Sequence, residues 1–181
     1  MANPPYGKCY PYEAPAAGED DQRAKATEWR HIGGAWGDGI VNATNPGGSS
    51  DFSLTPSTSD RTVVLNLGEF RMRGIQFEPT QSTLTLTIPP VTAGATRADR
   101  LLARLDPAAK QITFYIKAGT EVTTGSPVAP SVTRVTGGVW EFVLWRIEGG
   151  NTQASGLTYT DNRLWIAQTV HANTPPGRTR T

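Results

Sequence analysis

After Gly39, apolar and polar residues alternate along much of the chain. In Thr83-Leu84-Thr85-Leu86-Thr87-Ile88 the apolar residues fall on one side and the threonines on the other. A period of two predicts a strand, and threonine suits its wet face. Val63, Leu65 and Leu67 repeat the pattern, as do Ile112, Phe114 and Ile116, with Thr113, Tyr115 and Lys117 opposite. Leu101, Ala103 and Leu105 form another such row, flanked by Arg100 and Arg104. Val139 to Ile147 is apolar on both faces apart from Glu141 and Arg146, which predicts a central strand covered on both sides. Trp140 and Trp145 are an odd number of positions apart and are expected on opposite faces of that strand. Leu164 to Val170 reads as a final strand.

Turn signals separate these runs: Asn45-Pro46-Gly47-Gly48, Pro89-Pro90, Asp106-Pro107, Gly137-Gly138 and Gly149-Gly150-Asn151. Many short strands so spaced predict a β-sandwich or barrel. Gly119 to Gly138, with Pro127 and Pro130, reads as a long extended connection lying over the sheet.

The N-terminal part differs. Residues 1–18 read as an extended arm, because Pro4, Pro5, Pro11 and Pro15 disfavour a helix or inner strand. Tyr6, Tyr10 and Tyr12 predict that the arm docks on its own domain or on a neighbour. Residues 19–36 hold the one expected helix, from about Asp20 to Ile32. Glu19, Asp20 and Asp21 complement the dipole at its start, Ala26, Trp29 and Ile32 form a narrow apolar stripe, and Gly33-Gly34 stop it. Residues 37–171 form the β-domain, and 172–181 a flexible tail.

Charge adds an exclusion. With 17 basic and 16 acidic residues, the formal net charge of +1 leaves no electrostatic footprint for nucleic acid or an anionic membrane. No stretch reaches the apolar length that spans a bilayer. Met1 to Gly18 lacks the apolar region of a signal peptide, so synthesis in the cytosol without general export is expected. Cys9 is the only cysteine, which excludes an intrachain disulfide or a thiolate zinc site.

Candidate chemistry is sparse. The two histidines, His31 and His171, lie at the expected helix end and tail, and no HExxH, GxSxG or P-loop pattern occurs. No catalytic residue, metal or cofactor is expected. Two rows of charge read as structural ion pairs: Arg97, Asp99, Arg104 and Asp106, then Asp161 and Arg163. Arg104 and Asp106 are i, i+2 neighbours, and Asp99 is expected to meet an arginine of an adjacent strand, with Arg163 the candidate. Gly74 reads as a strand glycine at a bulge or close approach. Trp29, Trp36, Trp140, Trp145 and Trp165 admit two readings, core or subunit interface, and a sugar-stacking platform.

An ordered set of pieces runs through the middle of the chain. Leu67-Gly68 and Arg73-Gly74 precede Arg97-Ala98-Asp99-Arg100-Leu101-Leu102-Ala103-Arg104-Leu105-Asp106. A strand ending in Lys117-Ala118-Gly119-Thr120 follows, then Pro127, Pro130, Thr133 and Arg134, Trp140 to Arg146, and Thr160-Asp161-Asn162-Arg163. This order resembles the shoulder-type domain of siphophage tail-tip and baseplate proteins, the group that includes the N-terminal parts of phage receptor-binding proteins and minor tail proteins. The resemblance covers roughly residues 20–170. It implies a β-sandwich shoulder with a preceding helix, assembled as a homotrimer and fixed in the virion tail among other tail proteins. Receptor-binding members continue into a neck and a host-binding head. This chain ends soon after Val170, which favours a hub or adaptor for host-adhesion proteins. Direct contact with a host surface glycan is the alternative.

Overall fold

The structure, a computed structural model, describes residues 7–10, 38–42 and 50–167. The helix expected at 19–36, the tail expected at 172–181, and Trp29 and Trp36 lie outside the described residues.

The chain is mainly β, as the alternating pattern predicts. Among the described residues twelve strands follow one another: β1 (Gly7–Tyr10), β2 (Gly39–Asn42), β3 (Leu54–Pro56), β4 (Thr62–Asn66), β5 (Phe70–Met72), β6 (Ile75–Pro79), β7 (Thr83–Thr87), β8 (Arg97–Asp106), β9 (Gln111–Lys117), β10 (Trp140–Gly149), β11 (Thr158–Asp161) and β12 (Trp165–Ala167). A single 3-10 turn at Ala154–Gly156 is the one helical element among the described residues.

The strands form three sheets, in the orders β1-β6-β5-β2-β12, β11-β10-β8-β9 and β3-β4-β7. All pairings are antiparallel except β12 with β2, which is parallel. Gly7–Tyr10 of the arm pairs with Gln76 to Pro79 at a sheet edge, so this part of the arm is built into its own domain. The last described strand begins at Trp165, and Leu164 stands before it, 60% exposed; positions 168–170 of the expected strand lie outside the described residues.

One core joins the three sheets. Val63 and Leu65 of β4, Leu84 and Leu86 of β7, Leu101 and Leu105 of β8, and Ile112 and Phe114 of β9 are buried in it. All five phenylalanines of the chain take part. Phe52 contacts Phe70 and Phe114 at centroid separations of 5.7 and 5.4 Å. Phe70 meets Phe142 at 5.1 Å, and Phe77 meets Phe114 at 5.2 Å. Such contacts add about 0.5–1.5 kcal/mol each beyond the apolar area they bury.

A β-bulge reorders the longest apolar strand. Val143 of β10 pairs with Leu102, but Trp145 pairs with Leu101, leaving Leu144 as the extra residue. One inserted residue changes the parity of everything beyond it. Trp140, Phe142 and Trp145 therefore oppose Leu105, Ala103 and Leu101, which share one face. Both tryptophans pack against the core. The expectation that they face opposite ways is corrected by this single residue.

The other face of β8, β9 and β10 lies under the connection from Gly119 to Gly138. The Thr133 carbonyl accepts the Glu141 N–H of this sheet at 2.8 Å, and Arg146 Nη2 reaches the Pro127 carbonyl at 3.3 Å. Pro127 is buried and Val128 beside it is 78% exposed, as in a strap lying flat on the sheet.

Candidate functional site

Four constellations of charge and aromatic rings stand out, and three hold the fold together. The first closes the core-facing row of β8. Arg97 donates Nε to Asp99 Oδ1 at 2.7 Å and Nη2 to Oδ2 at 3.0 Å, a two-pronged contact. Both residues are nearly inaccessible, at 6% and 3% exposure. The remaining guanidinium donors reach Pro89 O at 2.8 Å, Pro90 O at 3.1 Å and Glu121 at 3.2 Å. Asp99 Oδ1 also accepts the Gly119 N–H at 3.0 Å. The partner of Asp99 is thus Arg97 on its own strand and not Arg163, because side chains two apart in a strand share a face. The hydrogen bond to Asp99 raises the Arg97 pKa above its ordinary value against the opposing effect of burial.

Gly119 belongs to this knot for a steric reason. A Cβ there would collide with the Ala98 carbonyl oxygen. Arg61 lies alongside and gathers the carbonyls of Ile88, Pro89, Gly150 and Thr152 at 2.6–3.3 Å. Burial lowers its pKa, and the nearby Arg97 charge acts the same way. Sequence reasoning missed Arg61: an arginine beside a strand carries no local sign that it will collect carbonyls from distant turns.

The second constellation fastens the strap. Glu141, 3% exposed, accepts from Lys117 Nζ at 2.9 Å, from Thr133 N–H at 2.7 Å and from the Tyr115 hydroxyl. Burial alone would raise its pKa. The hydrogen bonds from Tyr115, Lys117 and Thr133 outweigh that, so the carboxylate titrates below its ordinary range. Burial and the Glu141 contact push the Tyr115 hydroxyl upward, which keeps it protonated as a donor. A carboxylate inside an otherwise apolar run was the available signal for this residue.

In the third, Arg163 lies over two indoles, 4.8 Å from the Trp145 centroid and 5.4 Å from that of Trp165. Asp161 holds it in a fork, with Nε to Oδ1 at 2.9 Å and Nη2 to Oδ2 at 2.6 Å. Nη1 reaches the Asp51 carbonyl at 2.8 Å, and Trp145 Nε1 donates to Phe52 O at 2.7 Å. Burial would raise the Asp161 pKa, but Arg163 holds it below the ordinary value.

The fourth lies at the surface. Arg73 and Arg134 approach the Trp140 ring at 4.6 and 5.6 Å from its centroid. Arg73 has φ 52° and Gly74 φ 77°, and they form the two-residue turn between β5 and β6. Gly74 is therefore a hairpin-turn glycine and not a strand bulge, since positive φ at both central positions is what a two-residue type I′ hairpin turn requires. The Arg73 N–H is held by Asp38 Oδ1 at 2.6 Å. A cleft of about 60 Å³ opens between Arg73, Trp140, Leu105, Pro107, Val135 and the glycines at 137 and 138.

The last expected pair, Arg104 with Asp106, is loose at 3.8 Å and partly exposed. Asp106 also caps its turn through the N–H groups of Ala108 and Ala109 at 3.0 and 3.2 Å. Among the described residues, no three of His, Cys, Asp and Glu gather as metal ligands would. Compared with family models, curated proteins and solved structures, the chain has no match.

Proposed function

We propose that the chain is a structural component of a siphophage tail tip or baseplate, a β-sandwich shoulder that assembles as a homotrimer and serves as hub or adaptor for host-adhesion proteins. One observation carries this reading. Two of the pieces whose order resembles the shoulder domain meet in space: Asp99 of the Arg97–Asp106 strand, paired with Arg97, accepts the N–H of Gly119 from the Lys117–Thr120 piece. Their charges brace strands and strap against one another, as a load-transmitting domain requires.

The tryptophans support the same reading over the glycan alternative. Each described tryptophan has a guanidinium over its ring, where a sugar would stack. Light scattering of the purified chain after size exclusion tests the proposal. A stable trimer is expected. A monomer whose tryptophan fluorescence responds to host wall sugars would overturn it in favour of a glycan-binding module.

A further inference from the structure

We infer that the cleft beside Trp140 is a carboxylate-binding site that receives an aspartate or glutamate side chain from a partner protein. Among the described residues, neither Arg73 nor Arg134 makes an ion pair, whereas Arg97, Arg146 and Arg163 are all paired. Two exposed guanidiniums thus lie against one indole without a carboxylate partner among the described residues, and that of Arg73 lines the cleft itself. Stacking occupies the face of a guanidinium and leaves its in-plane N–H edge free, the edge that grips a carboxylate in two places. The ring also fixes the fork before a ligand arrives, and the Arg73 backbone is held in its turn by Asp38.

Size selects the ligand. A volume of about 60 Å³ is far below the roughly 300–1,000 Å³ of pockets that enclose a small molecule. It admits a carboxylate head and not a sugar ring. The walls select further: Leu105, Pro107 and the indole offer apolar contact to the methylenes of an acidic side chain, and Val135, 53% exposed, extends that contact outward. An acidic side chain in an extended protein segment combines these features; a free phosphate or a polyanionic wall polymer has no use for the apolar rim.

The identity of the partner as a protein rests on the assembly reading above, whereas the site itself rests on its geometry. The test uses the full ¹⁵N-labelled chain and follows the indole N–H signal of Trp140, assigned with Trp140→Phe. An end-capped peptide with one glutamate between valines should shift that signal saturably. The same peptide with glutamine should not. In the Arg73→Gln, Arg134→Gln double variant the affinity should fall about tenfold, the effect of two exposed ion pairs. An equal response to the glutamine peptide, or no response to either, overturns the site. Saturation by glucuronate or inorganic phosphate at lower concentration than the peptide overturns the protein partner. Failure of the assembly reading would show separately, as a monomer in light scattering with the peptide response intact.

Discussion

Arg97 and Asp99, two positions apart on one strand, form a buried two-pronged ion pair whose carboxylate also holds the Gly119 N–H of the strap. Burying charge is costly, and only full pairing offsets it. The pair is therefore most informative when one half is removed.

Asp99→Asn keeps the shape of the side chain and deletes its charge. It leaves the buried Arg97 guanidinium with only the part-exposed Glu121, at 3.2 Å, as counter-charge, which costs about 3 kcal/mol. For a domain of this size the melting temperature should fall by roughly 10 °C. Differential scanning calorimetry checks it; an unchanged melting temperature removes the claim that this pair braces the fold.

Gly119→Ala probes the same knot sterically. The new methyl group would strike the Ala98 carbonyl oxygen, which lies on backbone and cannot rotate away. A loss of about 3 kcal/mol is expected, within the range of overpacked cores. Urea unfolding of the variant beside the parent reads it directly.

Glu141 sets an acid limit. Its pKa is lower folded than unfolded, so its contribution is fully present above the ordinary value of 4.5 and is lost as pH falls through the folded value. Stability should therefore drop on acidification below 4.5. Glu141→Gln should lower stability at neutral pH by about 1.5–3 kcal/mol, the scale of hydrogen bonds to a charged group, and flatten that acid limb. Chemical unfolding at a series of pH values would show an undiminished acid slope in the variant if the assignment is mistaken.

Arg163→Lys keeps the charge but not the plane. A lysine cannot hold Asp161 with a fork or stack in the same way on Trp145 and Trp165. A loss of about 1–2 kcal/mol is expected, with a change in tryptophan emission as the indoles lose their cover. Emission and stability identical to the parent would show that the stack contributes only charge.

The strands of the domain were legible where one face is wet and one dry. Leu84, Leu86 and Ile88 are buried and Thr83, Thr85 and Thr87 exposed, as their alternation predicts. Trp140 and Trp145 were misread because a bulge adds one residue without altering the local composition. Gly74 was legible as a special glycine but not as a turn, since Phe70–Met72 and Ile75–Pro79 are too short to show two separate periods. Of the candidate sites, the charges of β8 were readable as structural, and Arg104 with Asp106 as a pair, but the partner of Asp99 was not. Asp99 had several arginines to choose from, and the choice of Arg97 depends on burial that sequence does not display.

The parallel pairing of β2 with β12 brings Ile40 beside Trp165, near the two ends of the described β-domain. Contacts so distant along the chain are slow to find, because the loop entropy is spent before they reward it. A ribosome adds about 5–20 residues per second, so β2 waits for seconds beside an empty edge before its neighbour emerges. The sheet is thus fastened last, like a clasp, and the open edge of β2 is where a nascent chain most needs shelter from its sister chains.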